Sequence, residues 1–189
     1  MRNTIGNSLT LTLFGESHGR AIGAVLDGVP SGIAVDEEFI ASQMTKRKGI
    51  SSISTQRREE DRVEILSGVF EGRTTGTPIC LMIENKDTKS KDYSQMKDLA
   101  RPGHADYTAE MRYGGFQDYR GGGHFSGRIT APIVAAGALA VTMLKEKGIS
   151  IGTHISRLGE ITDRAFENYD KFNSVVPKWY DAELKKKYM

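Results

Sequence analysis

At 189 residues the chain is the size of one domain and can bury a sizeable core. Apolar residues make up 38% and charged residues 26%, which excludes a disordered polyelectrolyte. Twenty-six Lys and Arg against 24 Asp and Glu leave a net charge of +2, too balanced to demand nucleic acid, and one cysteine excludes an internal disulfide.

Leu9, Leu11 and Leu13 alternate with Thr10 and Thr12, the two-residue period of a half-buried strand. The run Gly15-Glu16-Ser17-His18-Gly19 breaks it, and AIGAVLDG from Ala21 resumes as a second strand. DGVPSG, 27–32, reads as a turn. Asp36 caps a helix whose first turn carries Glu37 and Glu38; Ile40 and Met44 lie on its apolar face, and Gly49 ends it. Residues 49–61 show no apolar period and read as a mobile loop. Arg62–Phe70 and Pro78–Asn85 are strands joined by the turn EGRTTG, and Cys80 reads as a buried strand thiol. Asn85–Leu99 is a lysine-rich surface excursion, and Thr108–Tyr113 is a short helix. Thr130 caps a helix through Lys147, with Pro132 in its first turn and Gly148 beyond its end. Its centre, IVAAGALAVTML, is apolar nearly all round, which predicts burial. ISIGTHISRL is a further strand, and Asp181–Met189 starts a helix without a stop, which reads as truncation. The expected class is α+β, an antiparallel β-sheet packed on α-helices, with residues 1–189 as a single domain. With neither a signal peptide nor a long apolar segment recognised, cytoplasm follows by default.

Arg101 to Thr130, RPGHADYTAEMRYGGFQDYRGGGHFSGRIT, places two histidines, four arginines and a glycine run within thirty residues. Arginine pairs planar anions bidentately, glycine admits backbone N–H groups to an anion, and histidine moves protons near neutral pH. FGESHGRAIGAVLDGVP, Phe14 to Pro30, adds His18 between glycines. Alone, His18 reads as a structural turn residue, and bare arginines read as solvated. Lys46 and Lys48 complement a helix dipole. Gly121–Gly123 suits either an anion-binding nest or a hinge. Arg57 and Arg58 are equally a solvated loop face or ligand contacts. Four scattered histidines and one cysteine have no metal-ligand spacing, so no metal site is expected, and His124 and His154 read as structural or surface residues.

Phe14–Pro30 and Gly121–Leu139 resemble the two N-terminal signatures of chorismate synthase, and RPGHADYT, Arg101–Thr108, resembles a third block of that family. The resemblance runs in order from about Asn3 to at least Ile161, but the family's C-terminal signature has no counterpart. The chain therefore reads as the N-terminal portion of a larger domain, in a family whose subunit sandwiches helices between two sheets and assembles as a homotetramer. The resemblance implies anti 1,4-elimination of phosphate from 5-enolpyruvylshikimate 3-phosphate to give chorismate. That reaction uses reduced FMN without net redox change, and NADPH where a reductase activity is built in.

Residue by residue, the resemblance implies that His18 gives a proton to the departing phosphate and that His104 acts beside the flavin. Arg47, Arg101 and Arg128 match substrate-binding arginines. Phe125, Ser126 and Gly127 stand where the family has a small Ser-Ser-Ala type run touching FMN; phenylalanine first is a departure. Ser17 would hydrogen-bond either ligand, or serve as a cap. Ile53 replaces a family arginine, and Arg47-Lys48-Gly49 replaces an arginine-proline-glycine run. A family acid near the flavin has no counterpart, so the isolated chain is expected to be inactive and to bind FMN weakly. The charge of the substrate predicts Arg47, Arg101 and Arg128 around one basic pocket with His18. Two rivals stand beside this reading. One is a single-stranded RNA module using the basic 46–58 loop with Tyr113, Phe116 and Tyr119. The other is a nucleotide-dependent enzyme with RGGGHFSGR as phosphate loop, which lacks the GK[ST] ending.

Overall fold

The computed structural model describes residues 3–47, 61–86, 97, 99–153 and 156–162. The chain divides into two compact units, 1–147 and 148–189. The sequence readings at Lys48–Glu60, at most of the 85–99 excursion, at His154 and at the terminal helix lie outside the described residues.

In the first unit, β1 (Thr4–Gly6), β2 (Thr10–Gly15) and β3 (Ala21–Asp27) form an antiparallel meander. After α1 (Glu37–Arg47) come β4 (Val63–Ser67), a small hairpin of β5 (Val69–Phe70) and β6 (Arg73–Thr74), and then β7 (Ile79–Glu84). β7 enters between β3 and β4, giving a five-stranded sheet in the order β1-β2-β3-β7-β4. The two-residue period decides which face is buried. Ile22, Ala24 and Leu26 lie opposite Ile83, Leu81 and Ile79 across β3 and β7, and all six point into the core. Burying a side chain of this size stabilises by roughly 1.5–3 kcal/mol. Cys80 sits on the opposite face and is half-buried, because alternation turns it away from its buried neighbours Ile79 and Leu81.

The core face of the sheet is covered by α3 (Thr130–Glu146), which packs on β2, β3 and β7 and also against α1. Asp36 caps α1 as expected, its Oδ1 accepting the Phe39 N–H at 2.8 Å, and Ile40 and Met44 are buried. α2 (Asp106–Tyr113) begins two residues before the expected start and ends at Gly114, in the left-handed conformation.

Four details depart from the sequence reading. The expected strand over 62–70 is split after a register shift between Ile65 and Ser67, and the β5–β6 hairpin occupies much of the expected turn. Thr130 is not the N-cap of α3. A 3-10 turn, Gly127–Ile129, runs straight into the helix, so Ser126 caps one turn earlier, and the Thr130 hydroxyl donates to Gly127 O at 2.6 Å. α3 is buried along Ala131, Pro132, Ala135, Ala136, Ala138 and Leu139, while Ile133 is exposed, so its apolar surface is only partly covered. Gly127–Glu146 is, contrary to the sequence reading, long and apolar enough to cross a membrane by length and composition, yet its packing on sheet and α1 is that of a core helix.

In the second unit, within the expected strand over 149–158, Ile149–Thr153 is irregular and Arg157–Leu158 forms β8, paired with β9 (Ile161–Thr162).

Candidate active site

The loop between β2 and β3 carries Ser17 and His18 and is tied at two points to the glycine run 121–123. The Ser17 N–H donates to Gly123 O at 3.0 Å, and His124 Nδ1 lies 2.8 Å from Gly15 O at the end of β2. A carbonyl only accepts, so His124 Nδ1 carries the proton and the residue is structural. Ser17 is 1% exposed. The glycine run has a use that neither a nest nor a hinge describes. Gly121 and Gly122 have φ of 56° and 84°, in the left-handed region. A Cβ on Gly121 would stand 2.2 Å from His18 Nδ1 and 3.1 Å from Ser17 Oγ. A Cβ on Gly122 would stand 2.7 Å from His104 Nε2. Adjacent glycines are therefore seats for two imidazoles, and no other residue type leaves room.

His104 lies in the turn before α2. Asp106 opens that helix and collects Arg101: Nε donates to Oδ2 at 2.7 Å, Nη2 to Oδ1 at 2.8 Å, and the Arg101 backbone N–H to Oδ2 at 3.0 Å. His104 Nδ1 is 2.7 Å from Asp106 Oδ1 and 3.3 Å from Arg101 Nη2. The Arg101 hydrogen bonds, assisted by its charge and that of His104, outweigh burial and hold the Asp106 carboxyl well below the usual carboxylate range.

A second acid organises the other arginines. Asp61 is 7% exposed and has φ of 52°, a strained backbone for a residue other than glycine. Its Oδ1 accepts from Arg128 Nη1, and its Oδ2 accepts from Arg47 Nη1 at 3.1 Å. Arg47 also donates from Nη2 to Gly127 O at 3.0 Å and from Nε to Thr130 Oγ1 at 3.3 Å. Arg128 donates from Nε to Asn85 Oδ1 at 3.1 Å. The amide of Asn85 then donates to Glu16 O at 3.0 Å and Gly19 O at 2.9 Å, on either side of His18. Thus α1, the start of β4, the end of β7 and the turn before α3 meet behind the His18 loop. Beside it, Arg120 holds Asp118 through Nε and Nη2, each at 2.8 Å, lowering the Asp118 pKa; the charge of His18 acts in the same direction.

The structure therefore brings His18 and His104 onto one glycine run, joins Arg47 and Arg128 through Asp61, and links Arg128 to the His18 loop through Asn85. Arg101 stands with His104. The expected basic pocket needs one correction: each of these arginines faces an acid, and Arg128, which is buried, needs that counter-charge most. Ser126 Oγ accepts the Arg128 N–H at 3.3 Å, and Gly127 O is a ligand of Arg47, so this segment also braces the arginines. Phe125 packs with ring centroids 6.1 Å from Tyr113 and 6.3 Å from His124.

Asp61, Asn85, Asp106 and Asp118 were not singled out from the sequence. Asp61 is the last residue of the run 49–61 read as a mobile loop, and its buried position corrects that reading for Asp61. Asp106 had a signal in the same RPGHAD block as His104, two residues on. Among the described residues, no group of three or more His, Cys, Asp or Glu is placed to hold a metal ion.

Comparison with known proteins bears on this arrangement. Residues 9–188 match the family model described as chorismate synthase. A chorismate synthase of Sulfurovum sp. (strain NBC37-1) is 52% identical over 180 residues, covering 93% of this chain and 50% of that protein. One from Ralstonia nicotianae is 58% identical over 161 residues, covering 84% and 44%. One from Pyrococcus abyssi is 48% identical over 178 residues, covering 94% and 50%. A crystal structure of chorismate synthase matches with a TM-score of 0.55 at 35% identity, covering 76% of this chain and 36% of that one. The expected α+β class, antiparallel sheet on helices, agrees with that structure and with the observed fold. The chain spans about half the length of the curated relatives it matches.

Proposed function

The chain belongs to the chorismate synthase family, and from that premise we propose that it carries the histidine–arginine part of an active site that eliminates phosphate from 5-enolpyruvylshikimate 3-phosphate to give chorismate. The observation that supports this reading most is the seating of His18 and His104 on adjacent glycines, with Arg128 linked to the His18 loop through Asn85.

The substrate carries two carboxylates and a phosphate, and its C–O bond breaks with charge building on the phosphate. His18 is the proton donor to that leaving group, at the end of the loop held by Asn85 and Ser17. Arg47 and Arg128 hold the anionic groups, and Arg101 adds its charge at His104. A positioned acid or base of this kind contributes about a hundred- to ten-thousand-fold. Asp61 keeps both guanidinium groups in place before substrate arrives, so little ordering is left for the moment of binding.

The segment 125–127 fits a flat flavin. A Cβ on Gly127 would meet nothing within 4 Å, so its backbone is open to a ring, and Ser126 Oγ retains a proton to donate. His104, Phe125 through its backbone, Ser126 and Gly127 would hold the cofactor. When bound, reduced FMN supplies electron density that lets the bond break without net redox change. The reading extends to a cytoplasmic homotetramer, with NADPH as reductant if the enzyme is bifunctional.

The test joins the chain to the second half of the Sulfurovum chorismate synthase. The product is assayed without oxygen, with dithionite-reduced FMN and 5-enolpyruvylshikimate 3-phosphate. Chorismate formation that is lost on His18→Ala is the expected result. A folded chimera that binds both ligands and forms no chorismate would refute the proposal. Replacing dithionite by NADPH decides the source of electrons, and native mass decides the tetramer.

A further inference from the structure

Both polar atoms of the Asn85 side chain and its backbone N–H are engaged, and two parts of the site share them. Asn85 follows β7, whose last residue, Glu84, pairs with Ala21 of β3. The pairing continues one step past the strands, where the Asn85 N–H donates to Arg20 O at 3.1 Å. The side-chain amide gives both Nδ2 protons to the adjoining turn, donating to Glu16 O at 3.0 Å and to Gly19 O at 2.9 Å. Those two carbonyls bracket Ser17 and His18. Glu16 O also accepts the Gly19 N–H at 3.0 Å, which closes the turn. The remaining atom, Oδ1, accepts from Arg128 Nε at 3.1 Å. Reversing the amide would set Oδ1 against two carbonyl oxygens and Nδ2 against a guanidinium N–H, so all three partners demand one orientation. Two donors and one acceptor on a single plane are what this position requires. Aspartate lacks the donors, and glutamine carries the same amide one methylene further out.

We propose that Asn85 is a positioning residue: its amide clamps the turn that carries His18 to the guanidinium of Arg128 and so sets the place of one relative to the other. The turn is held from its other side by the Ser17 N–H on Gly123 O, so the clamp closes a frame around His18. Arg128 is itself fixed by Asp61, which makes the amide a link between a rigid cation and a loop. A proton donor acts only within hydrogen-bond reach of the atom it protonates. A turn that drifts relative to an anchored anion therefore loses rate before it loses affinity. The catalytic consequence rests on the reading of His18 as proton donor and Arg128 as substrate ligand; the clamp does not.

The two ends of the clamp break separately. Asn85→Asp keeps an acceptor for Arg128 Nε, strengthened by charge, but turns a carboxylate oxygen on the Glu16 and Gly19 carbonyls and releases the turn. Asn85→Ala removes both ends. In NMR spectra of the 189-residue chain, both Asn85 Hδ2 protons should exchange with water more slowly than those of exposed amides. Asn85→Asp should shift the Ser17, His18 and Gly19 amide resonances while Arg128 Nε–H stays slow to exchange; Asn85→Ala should disturb both. Wild-type Hδ2 protons that exchange like a free amide overturn the clamp, even if both variants fail to fold. An Asn85→Asp chain whose turn resonances do not move overturns it as well. In the chimera, Asn85→Asp should lower kcat at least about tenfold, a part of what acid–base catalysis contributes, with KM changed less, whereas Asn85→Ala should also raise KM. A normal kcat for Asn85→Asp where His18→Ala is impaired overturns the positioning role. A normal kcat for His18→Ala instead refutes the reading of His18 on which the catalytic role rests, and the exchange measurement then decides the clamp.

Discussion

Replacing Asp61 by alanine removes the carboxylate shared by Arg47 and Arg128, and the structure allows the cost to be worked out. The side chains of Asp61 and Arg128 are 4% and 5% exposed, and that of Arg47 is 23% exposed. Breaking a buried charge pair by deleting one partner costs roughly 3–5 kcal/mol. Only one of the two pairs is fully buried, and the exposed share of Arg47 is screened, so the lower half of that range applies. Alanine inherits the backbone at φ of 52°, so the strain of about 1 kcal/mol is not recovered. The expected loss is about 3 kcal/mol. With a urea m-value of about 2 kcal/mol/M, the unfolding midpoint followed by circular dichroism should fall by roughly 1.5 M. Asp61→Gly should recover about 1 kcal/mol of the loss, because glycine adopts this backbone freely. The difference should persist in high salt, since buried charges are poorly screened. An Asp61→Ala chain within about 0.5 kcal/mol of wild type would refute the view that this acid organises the arginines. A glycine variant no better than alanine would refute the strain.

Gly122→Ala should displace His104, because φ is +84° and the new Cβ would meet the ring at 2.7 Å; a loss of roughly 1–3 kcal/mol and altered His104 resonances are expected. Gly127→Ala is its control: the Cβ meets open space and φ is not positive, so stability should stay within about 0.5 kcal/mol. The Asp106 carboxyl has its folded pKa depressed by Arg101, so its contribution is present above the unfolded carboxylate value of about 3.9 and is lost as pH falls towards the folded one. The stability gap between wild type and Asp106→Asn should therefore close as pH falls below about 4; a gap that widens there contradicts the assignment. In the chimera, His18→Ala should cut kcat by about a hundred- to ten-thousand-fold with little change in KM, whereas Arg128→Ala should chiefly raise KM, since its charge acts on ground and transition states alike.

How much was legible in the sequence depended on the range of the forces involved. β2, β3 and β7 were visible because alternation is local and the core selects one face. α1 was visible because Asp36, Ile40 and Met44 write a cap and a four-residue period. The β5–β6 hairpin was not, since strands of two residues have no period and its turn uses Glu71 at φ of 48°. The over-prediction of burial in α3 has another cause: composition reports how apolar a helix is, whereas burial depends on what packs against it. In the site, His18, His104 and the arginines were recognisable as motif residues, but the acids were not. Asp61 reaches Arg47 across 14 positions and Arg128 across 67, and Asn85 reaches Arg128 across 43, separations at which residue type alone reads as solvated charge. Asp106, only five residues from Arg101, was the acid that local reading could have found.

The charges of the site divide into those that are fixed and those that can move. Arg47, Arg128 and Arg101 are each held by a carboxylate, and these pairs place cations without leaving them to repel one another. Such pairs are poor proton carriers, because arginine does not deprotonate and Asp106 stays ionised. The two histidines occupy the opposite condition. Each rests on glycine backbone, and imidazole is the side-chain type suited to acid–base exchange. A reaction that must both hold several anionic groups and deliver a proton to one of them needs this separation, since a group that anchors the substrate by charge cannot also give that charge away. The run Gly121–Gly123 is where the two sets meet: it seats both imidazoles, anchors the Ser17 loop, and leads through Ser126 into the turn that carries Arg128. A side chain added at Gly121 or Gly122 would therefore be expected to disturb proton transfer before it disturbed anion binding.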